Sequence, residues 1–167
     1  MKLSGAGIIW ICLTFTGMKM SALLKRRVSL LEETLSFLMN LKIELIYRCD
    51  TVQNILIKLS ALSLCSNLDY ISFCCDELRN GNDFTSSWKI SLSKSNLPYN
   101  REEKAKLVSL SDFLGTTDID SQNTMLTLYK EYFTAFYEKA LQKEKKYSRL
   151  YSTVGFVSGL GVFIMVM

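Results

Sequence analysis

Few side chains in this sequence have the chemistry of an active site. There is no histidine, which removes imidazole acid/base catalysis, Ser-His and Cys-His nucleophile pairs, and zinc or haem sites that need an imidazole ligand. The cysteines are Cys12, Cys49, Cys65, Cys74 and Cys75. They form no C-x-x-C and their number is odd, the pattern of reduced thiols buried as small hydrophobes. The vicinal Cys74 and Cys75 have the atoms for redox or soft-metal chemistry, which also needs an activating environment. Asp118 and Asp120 are close enough in sequence to share a metal or a proton. Capping of a helix N-terminus accounts for the same two residues without any chemistry. Neither G-x-x-x-x-G-K-[ST] nor G-x-G-x-x-G occurs, so no nucleotide cradle is visible. The expectation is a protein that is not an enzyme, with no cofactor and no metal.

The elements that would position such residues belong to a single ordinary domain of 167 residues. Hydrophobic residues are 49% and charged residues 22% of the chain, with Pro98 the only proline. Wholesale disorder and proline-rich architectures are thereby excluded. The net charge of +4 is too small to point to nucleic acid.

Hydrophobicity is concentrated at the two ends. Residues 3–18 and 150–167 carry no charge, and a membrane-spanning helix needs about 20 apolar residues, or roughly 17–25. The first run has a single lysine before it and no clean A-x-A cleavage site after it, unlike a signal peptide, and two wholly apolar core helices are hard to bury in so small a domain. A pair of uncleaved anchors is the reading adopted, with Lys2 and Lys19 snorkelling to the interfaces. Lys25, Arg26 and Arg27 follow the first run, and Lys143, Lys145, Lys146 and Arg149 precede the second. Basic flanks stay on the cytosolic side, which predicts an anchor at 3–24, a cytosolic domain at 25–149 and an anchor at 150–167. Gly155 and Gly159 have the spacing that lets membrane helices approach closely; glycine tolerated without a partner explains them equally well.

Between the ends the periodicity is helical. Leu24, Val28, Leu31, Leu35, Leu38, Lys42 and Leu45 form a heptad seam with one lysine intruding. Asp50-Thr51 is a cap for a second helix with an apolar face of Val52, Ile55, Leu56, Leu59 and Leu62. Asn67 is the expected cap of a third, with Leu68, Ile71, Cys75 and Leu78 inward and Asn80-Gly81 as its stop. Asp83 opens a fourth, which buries Phe84, Trp88 and Leu92. Residues 93–100 read as a loop, and Asn100 with Glu103 is a capping box for a fifth helix lined by Leu107, Leu110, Phe113 and Leu114 and closed by Gly115. A turn at 116–120 leads to a last long helix capped by Asp118 or Asp120, with a stripe of Met125, Leu128, Tyr129, Tyr132, Phe136 and Ala140. The predicted fold is all-α, about six helices, a helical bundle whose first and last helices extend into the terminal anchors.

These elements resemble the stage III sporulation protein AB family of endospore-forming Firmicutes. The resemblance rests on Lys2-Leu3 with Gly5-Ala6-Gly7 before the first apolar run, Leu41-x-Ile43-Glu44-Leu45-Ile46-Tyr47 at the end of the first long helix, and Phe73, Leu78 and Trp88 at similar spacing. It is carried further by Phe113-Leu114-Gly115-Thr116-Thr117-Asp118-x-Asp120-Ser121-Gln122 and by Gly155-Phe156-Val157-x-Gly159-Leu160. Cys49-Asp50-Thr51-Val52 departs from it, standing where relatives carry Thr-Pro-Leu.

The resemblance implies a subunit of the mother-cell half of the channel to the engulfed forespore, placed in the outer forespore membrane. It also implies likeness to the inner-membrane platform proteins of type II secretion and type IV pilus systems. The partners implied are a cytosolic secretion-type ATPase, similar to stage III sporulation protein AA, and other membrane subunits of the channel. Membrane lipid is a further partner; nucleic acid and small-molecule substrates are not. The candidate contact residues are Glu44, Tyr47, Asp118 and Gln122, each with an ordinary structural role available to it, and Gly155 and Gly159 are candidates for packing within the membrane. Outside a secretion complex, the same sequence suits a membrane-tethered scaffold or a homo-oligomer joined through the Leu24–Leu45 seam.

Overall fold

The computed structural model describes residues 2–48, 51–61, 67–114 and 119–166; within the helices, the side chains of 2–14, 17–18, 47–48, 119, 148–152 and 154–166 lie outside that description. The described residues form helices α1 (Lys2–Arg48), α2 (Val52–Ser60), α3 (Asp69–Arg79), α4 (Phe84–Lys94), α5 (Arg101–Phe113) and α6 (Ile119–Val166), with no strand among them. The fold is all-α. Its contacts divide it into two compact units: Met1–Ser29 with Glu138–Met167, and Leu30–Tyr137. Helix α1 is 47 residues long.

No helix among the described residues is long and apolar enough to cross a membrane, so the expected terminal anchors are not supported there. The uncharged runs at 3–18 and 150–167 fall mostly on side chains outside the description. What is described of both runs is their helical backbone as far as Val166 and the exposed side chains of Phe15, Thr16 and Thr153.

The shorter helices begin where local chemistry starts them. Thr51, in extended conformation, accepts a bond at Oγ1 from the Asn54 N–H at 3.4 Å and caps α2. Val52, Ile55, Leu56 and Leu59 are its buried face; Asp50 and Leu62 lie outside the described residues. Asp83 Oδ2 accepts from the Thr85 N–H at 3.1 Å to open α4. The Asn100 N–H donates to Glu103 Oε2 at 2.6 Å, completing a capping box on α5.

The start of α3 differs from expectation. Leu68 is the residue before the helix and makes no side-chain cap, while Asn67 Nδ2 donates to Glu33 Oε1 on α1. The helix starts at Asp69, which puts Leu68 at the cap position and Asn67 one residue before it, where its amide N–H ties the approach to α3 onto α1. At the other end Gly81 has φ +85° and donates its N–H to the Leu78 carbonyl at 3.0 Å. A side chain there would meet nothing within 4 Å, so backbone conformation, not space, calls for glycine.

The core of the Leu30–Tyr137 unit gathers on Trp88. Its ring stacks on Phe37 of α1 at 6.1 Å between centroids, meets Tyr70 of α3 edge-on at 5.4 Å and packs against Phe84 at 5.8 Å. Its indole N–H donates to the Leu107 carbonyl of α5 at 2.7 Å. One fully buried side chain therefore joins α1, α3, α4 and α5. Thr34, Ser91 and Ser111 are buried in the same unit, and the hydroxyl of each donates to a carbonyl of the preceding helical turn.

Trp88→Ala removes an aromatic anchor and its hydrogen bond, and the expected loss is about 3–5 kcal/mol of unfolding free energy. Ile90→Ala, an exposed change on the same helix, costs within about 0.5 kcal/mol. Denaturant unfolding of both variants in detergent, followed by circular dichroism, measures the difference; equal midpoints would show that the core does not gather on Trp88.

Candidate interaction surface

Within the Leu30–Tyr137 unit, the Lys42 ammonium donates to Thr127 Oγ1 at 2.8 Å, and Thr127 in turn donates to the Asn123 carbonyl at 2.8 Å. This bond sets the α1 segment that carries Glu44 beside the α6 segment that carries Gln122. The lysine that intrudes in the heptad thus spans two helices. Glu44 and Gln122 are both half-buried. The side chain of Tyr47 and all of Asp118 lie outside the described residues, as does the turn at 116–118 with Gly115. Gly155 and Gly159 stand in α6, with surroundings outside the description.

The neighbours of the Lys42–Thr127 bond are the residues the sequence reading missed. One position further along each helix, Ile43 is 50% exposed and Leu128 is 39% exposed. Met39, one turn before Ile43, is 46% exposed. Helical spacing puts Met39 and Ile43 on one stripe of α1, turned away from the buried Leu38, Leu41 and Leu45. The available signal was the excess of apolar residues in 35–46, more than one seam can bury.

The stripe on α6 is corrected accordingly. Its buried residues are Leu126, Tyr129, Phe133 and Ala140, with Met125 and Phe136 half-buried and Leu128 and Tyr132 exposed. The run 125–137 is apolar on too many sides for spacing alone to choose its face. Packing chooses it: Tyr129 OH shares a 2.9 Å hydrogen bond with Ser109 Oγ on α5, and the Phe113 ring lies 6.3 Å away. Lys106 Nζ sits 4.0 Å over the Tyr132 ring, a cation–π contact that leaves that ring half in water.

The α1 seam is likewise only half as expected. Leu31, Leu38 and Leu45 are buried within the unit, together with Leu30, Phe37 and Leu41, while Leu24, Val28 and Leu35 are half-buried. Three of the seven seam residues are thus covered by the chain itself and are closed to a second copy.

Cys74 and Cys75 are free thiols, both buried in α3. Burial pushes the Cys74 thiol up to about 12, with Cys75 and Glu77 adding to the effect. A thiol so held is protonated at neutral pH and is a poor nucleophile. Glu77 itself is held below the ordinary carboxylate range by its bond from Lys94 Nζ at 2.6 Å. Among the described residues no group of His, Cys, Asp or Glu is placed to hold a metal ion.

Cys74 ionises later in the folded chain than in the unfolded one, so its contribution to stability is intact below the unfolded value near 9 and declines as pH rises from there toward 12. Both thiols are expected to resist iodoacetamide at pH 8 in the folded protein and to react fully in denaturant. Mass spectrometry of the labelled α3 peptide reads this directly; rapid alkylation without denaturant would contradict it.

A family model, stage III sporulation protein AB, matches residues 2–167. No curated protein and no solved structure matches the chain. The chain therefore belongs to the stage III sporulation protein AB family, and its role is in sporulation.

Proposed function

We propose that this member of the family is a non-enzymatic, membrane-held platform subunit, whose Leu30–Tyr137 unit docks a cytosolic secretion-type ATPase. The observation that carries the docking surface is the joint exposure of Ile43 and Leu128 on either side of the Lys42–Thr127 bond. A large apolar side chain exposed beside another on a neighbouring helix is a common feature of a protein-binding surface. Met39 extends that surface along α1, and Glu44 and Gln122 are the polar residues at its edge. In this reading Gln122 supplies a rim contact from the first turn of α6, and Asp118 and the side chain of Tyr47, outside the described residues, are further candidates.

The membrane-held part of the reading is supported by sequence. Two uncharged runs, 3–18 and 150–167, each have a basic cluster on the side facing the middle of the chain. Both runs continue helices that pass into the Leu30–Tyr137 unit. The unit is therefore held at two points and faces the cytosol, and the membrane segments, Gly155 and Gly159 among them, meet other channel subunits. The absence of histidine and the protonated Cys74 support a role without catalysis. The place of action is the outer forespore membrane, and the partner is an ATPase of the stage III sporulation protein AA kind.

The alternative of a homo-oligomer through the Leu24–Leu45 seam has less support, because Leu31, Leu38 and Leu45 are already buried.

Ile43→Asp with Leu128→Asp is expected to cut co-purification of the ATPase from crosslinked sporulating cells by at least about tenfold, the scale of one hot-spot residue. The change falls on exposed positions, so far-ultraviolet circular dichroism stays unchanged. Asp118→Ala with Gln122→Ala gives a smaller loss of the same kind, as rim residues do. Full recovery of the ATPase with the folded Ile43→Asp/Leu128→Asp variant would place the docking surface elsewhere.

A further inference from the structure

The two units divide the charge of the chain unequally. Met1–Ser29 with Glu138–Met167 holds ten basic and two acidic residues, a formal +8, whereas Leu30–Tyr137 holds ten basic and fourteen acidic, a formal −4. The modest +4 of the whole chain conceals this. Nine of the ten basic residues lie in 19–29 and 138–149, between the two uncharged runs.

Seven of these nine side chains are exposed. Lys19, Lys25 and Arg26 are exposed on α1, and Lys139, Lys143, Lys145 and Lys146 are exposed on α6. Phe15, Lys19, Leu23 and Arg26 follow one another at helical spacing, so basic and apolar groups share one stripe. Phe15 is 58% and Leu23 56% exposed, with Met20 beside them also exposed. Lys19 Nζ lies 5.0 Å over the Phe15 ring, an arrangement that keeps the ammonium outward while the apolar stem and ring stay together. On α6, Lys139, Lys143 and Lys146 form a second stripe of the same spacing.

We propose that this basic unit binds the headgroups of anionic phospholipids, through the Lys19–Arg26 stripe of α1 and the Lys139–Lys146 stripe of α6. The ligand is chosen by two properties found together. Clustered ammonium and guanidinium groups recognise phosphate, and exposed Phe, Met and Leu in the same stripe suit the boundary between headgroups and acyl chains. Nucleic acid would match the charge and leave those apolar groups in water. Distance agrees: Lys25 to Arg27 stand six to eight residues beyond Lys19, roughly 9–12 Å along a helix, about one Debye length at physiological salt. The acidic unit has the opposite sign and gains nothing from such a surface. The proposal rests on the membrane-held reading above and adds the lipid class to it.

The test uses the full chain reconstituted in vesicles of phosphatidylcholine with a minority of phosphatidylglycerol. The vesicles are then dissolved in mild detergent, and the lipid that stays with the protein is quantified. Phosphatidylglycerol is expected to be enriched over its share in the vesicle by at least about fivefold, the factor that one basic residue near an anionic surface supplies. The enrichment falls in high salt. It is lost in the Lys25→Gln/Arg26→Gln/Lys143→Gln/Lys145→Gln/Lys146→Gln variant and kept in Lys58→Gln/Lys130→Gln, which removes the same kind of charge from the acidic unit. Where the multiple variant fails to insert, the salt titration of the unaltered chain decides. Alkaline carbonate extraction of the same vesicles tests the anchoring separately. A chain that resists extraction but holds the two lipids in vesicle proportions overturns the headgroup proposal and spares the anchors. A chain that is extracted yet enriches phosphatidylglycerol supports the headgroup site and overturns the anchors. Binding of RNA in place of phosphatidylglycerol overturns the proposal in favour of a nucleic-acid surface.

Discussion

The hydrogen bond from the Trp88 indole N–H to the Leu107 carbonyl, with Phe37, Tyr70 and Phe84 closing on the ring, is the contact on which the Leu30–Tyr137 unit depends. Helices α2 to α5 are short, nine to thirteen residues each, and helices of that length are marginal in water by themselves. Helices α3, α4 and α5 hold against α1 because a single large side chain gives these four helices a common surface. The buried Ser91 and Ser111 satisfy their own hydroxyls within their helices. The Thr34 hydroxyl donates to the Leu30 carbonyl and also meets the Tyr99 hydroxyl at 2.7 Å, which fastens the 95–100 loop against α1. Burial raises the Tyr99 hydroxyl well above its ordinary range, so this link is neutral under physiological conditions.

A compact unit of this kind can spare parts of its long helices for other contacts. The α1 helix buries Leu38, Leu41 and Leu45 on one side and shows Met39 and Ile43 on another. The α6 helix does the same with Tyr129 and Phe133 against Leu128 and Tyr132. The same two helices continue into the other unit, where most of the described side chains on view are basic or apolar. Protein contact and lipid contact are thereby assigned to different stretches of the same helices, separated by charge: acidic where a partner is proposed to dock, basic where a bilayer is.

Much of this organisation was legible in the sequence, for a physical reason in each case. The caps at Thr51, Asp83 and Asn100/Glu103 are local events, decided by residues within one helical turn. The glycine stop at Gly81 is equally local. The buried faces of α2, α4 and α5 were legible because each short helix has one apolar side. Tertiary partners decided the rest. Asn67 left its helix for the Glu33 carboxylate, Lys42 crossed to Thr127, and the apolar excess of α6 took the face that Ser109 and Phe113 offered. The candidate contact residues were the least legible part. Glu44 and Gln122 came from a family pattern, whereas the exposed apolar pair Ile43 and Leu128 is defined only once α1 and α6 lie side by side. The charge division was in the sequence all along but has no meaning until the chain is split into its two units.

The central claim is that the outer side of the α1–α6 pair receives the ATPase, and proximity in the native cell tests it most directly. A photoreactive amino acid placed at position 43 in sporulating cells should give one dominant adduct, identified by mass spectrometry as a secretion-type ATPase. The same group at exposed position 90, on α4, should give none. An ATPase adduct of equal yield at both positions, or at position 90 alone, would contradict the account.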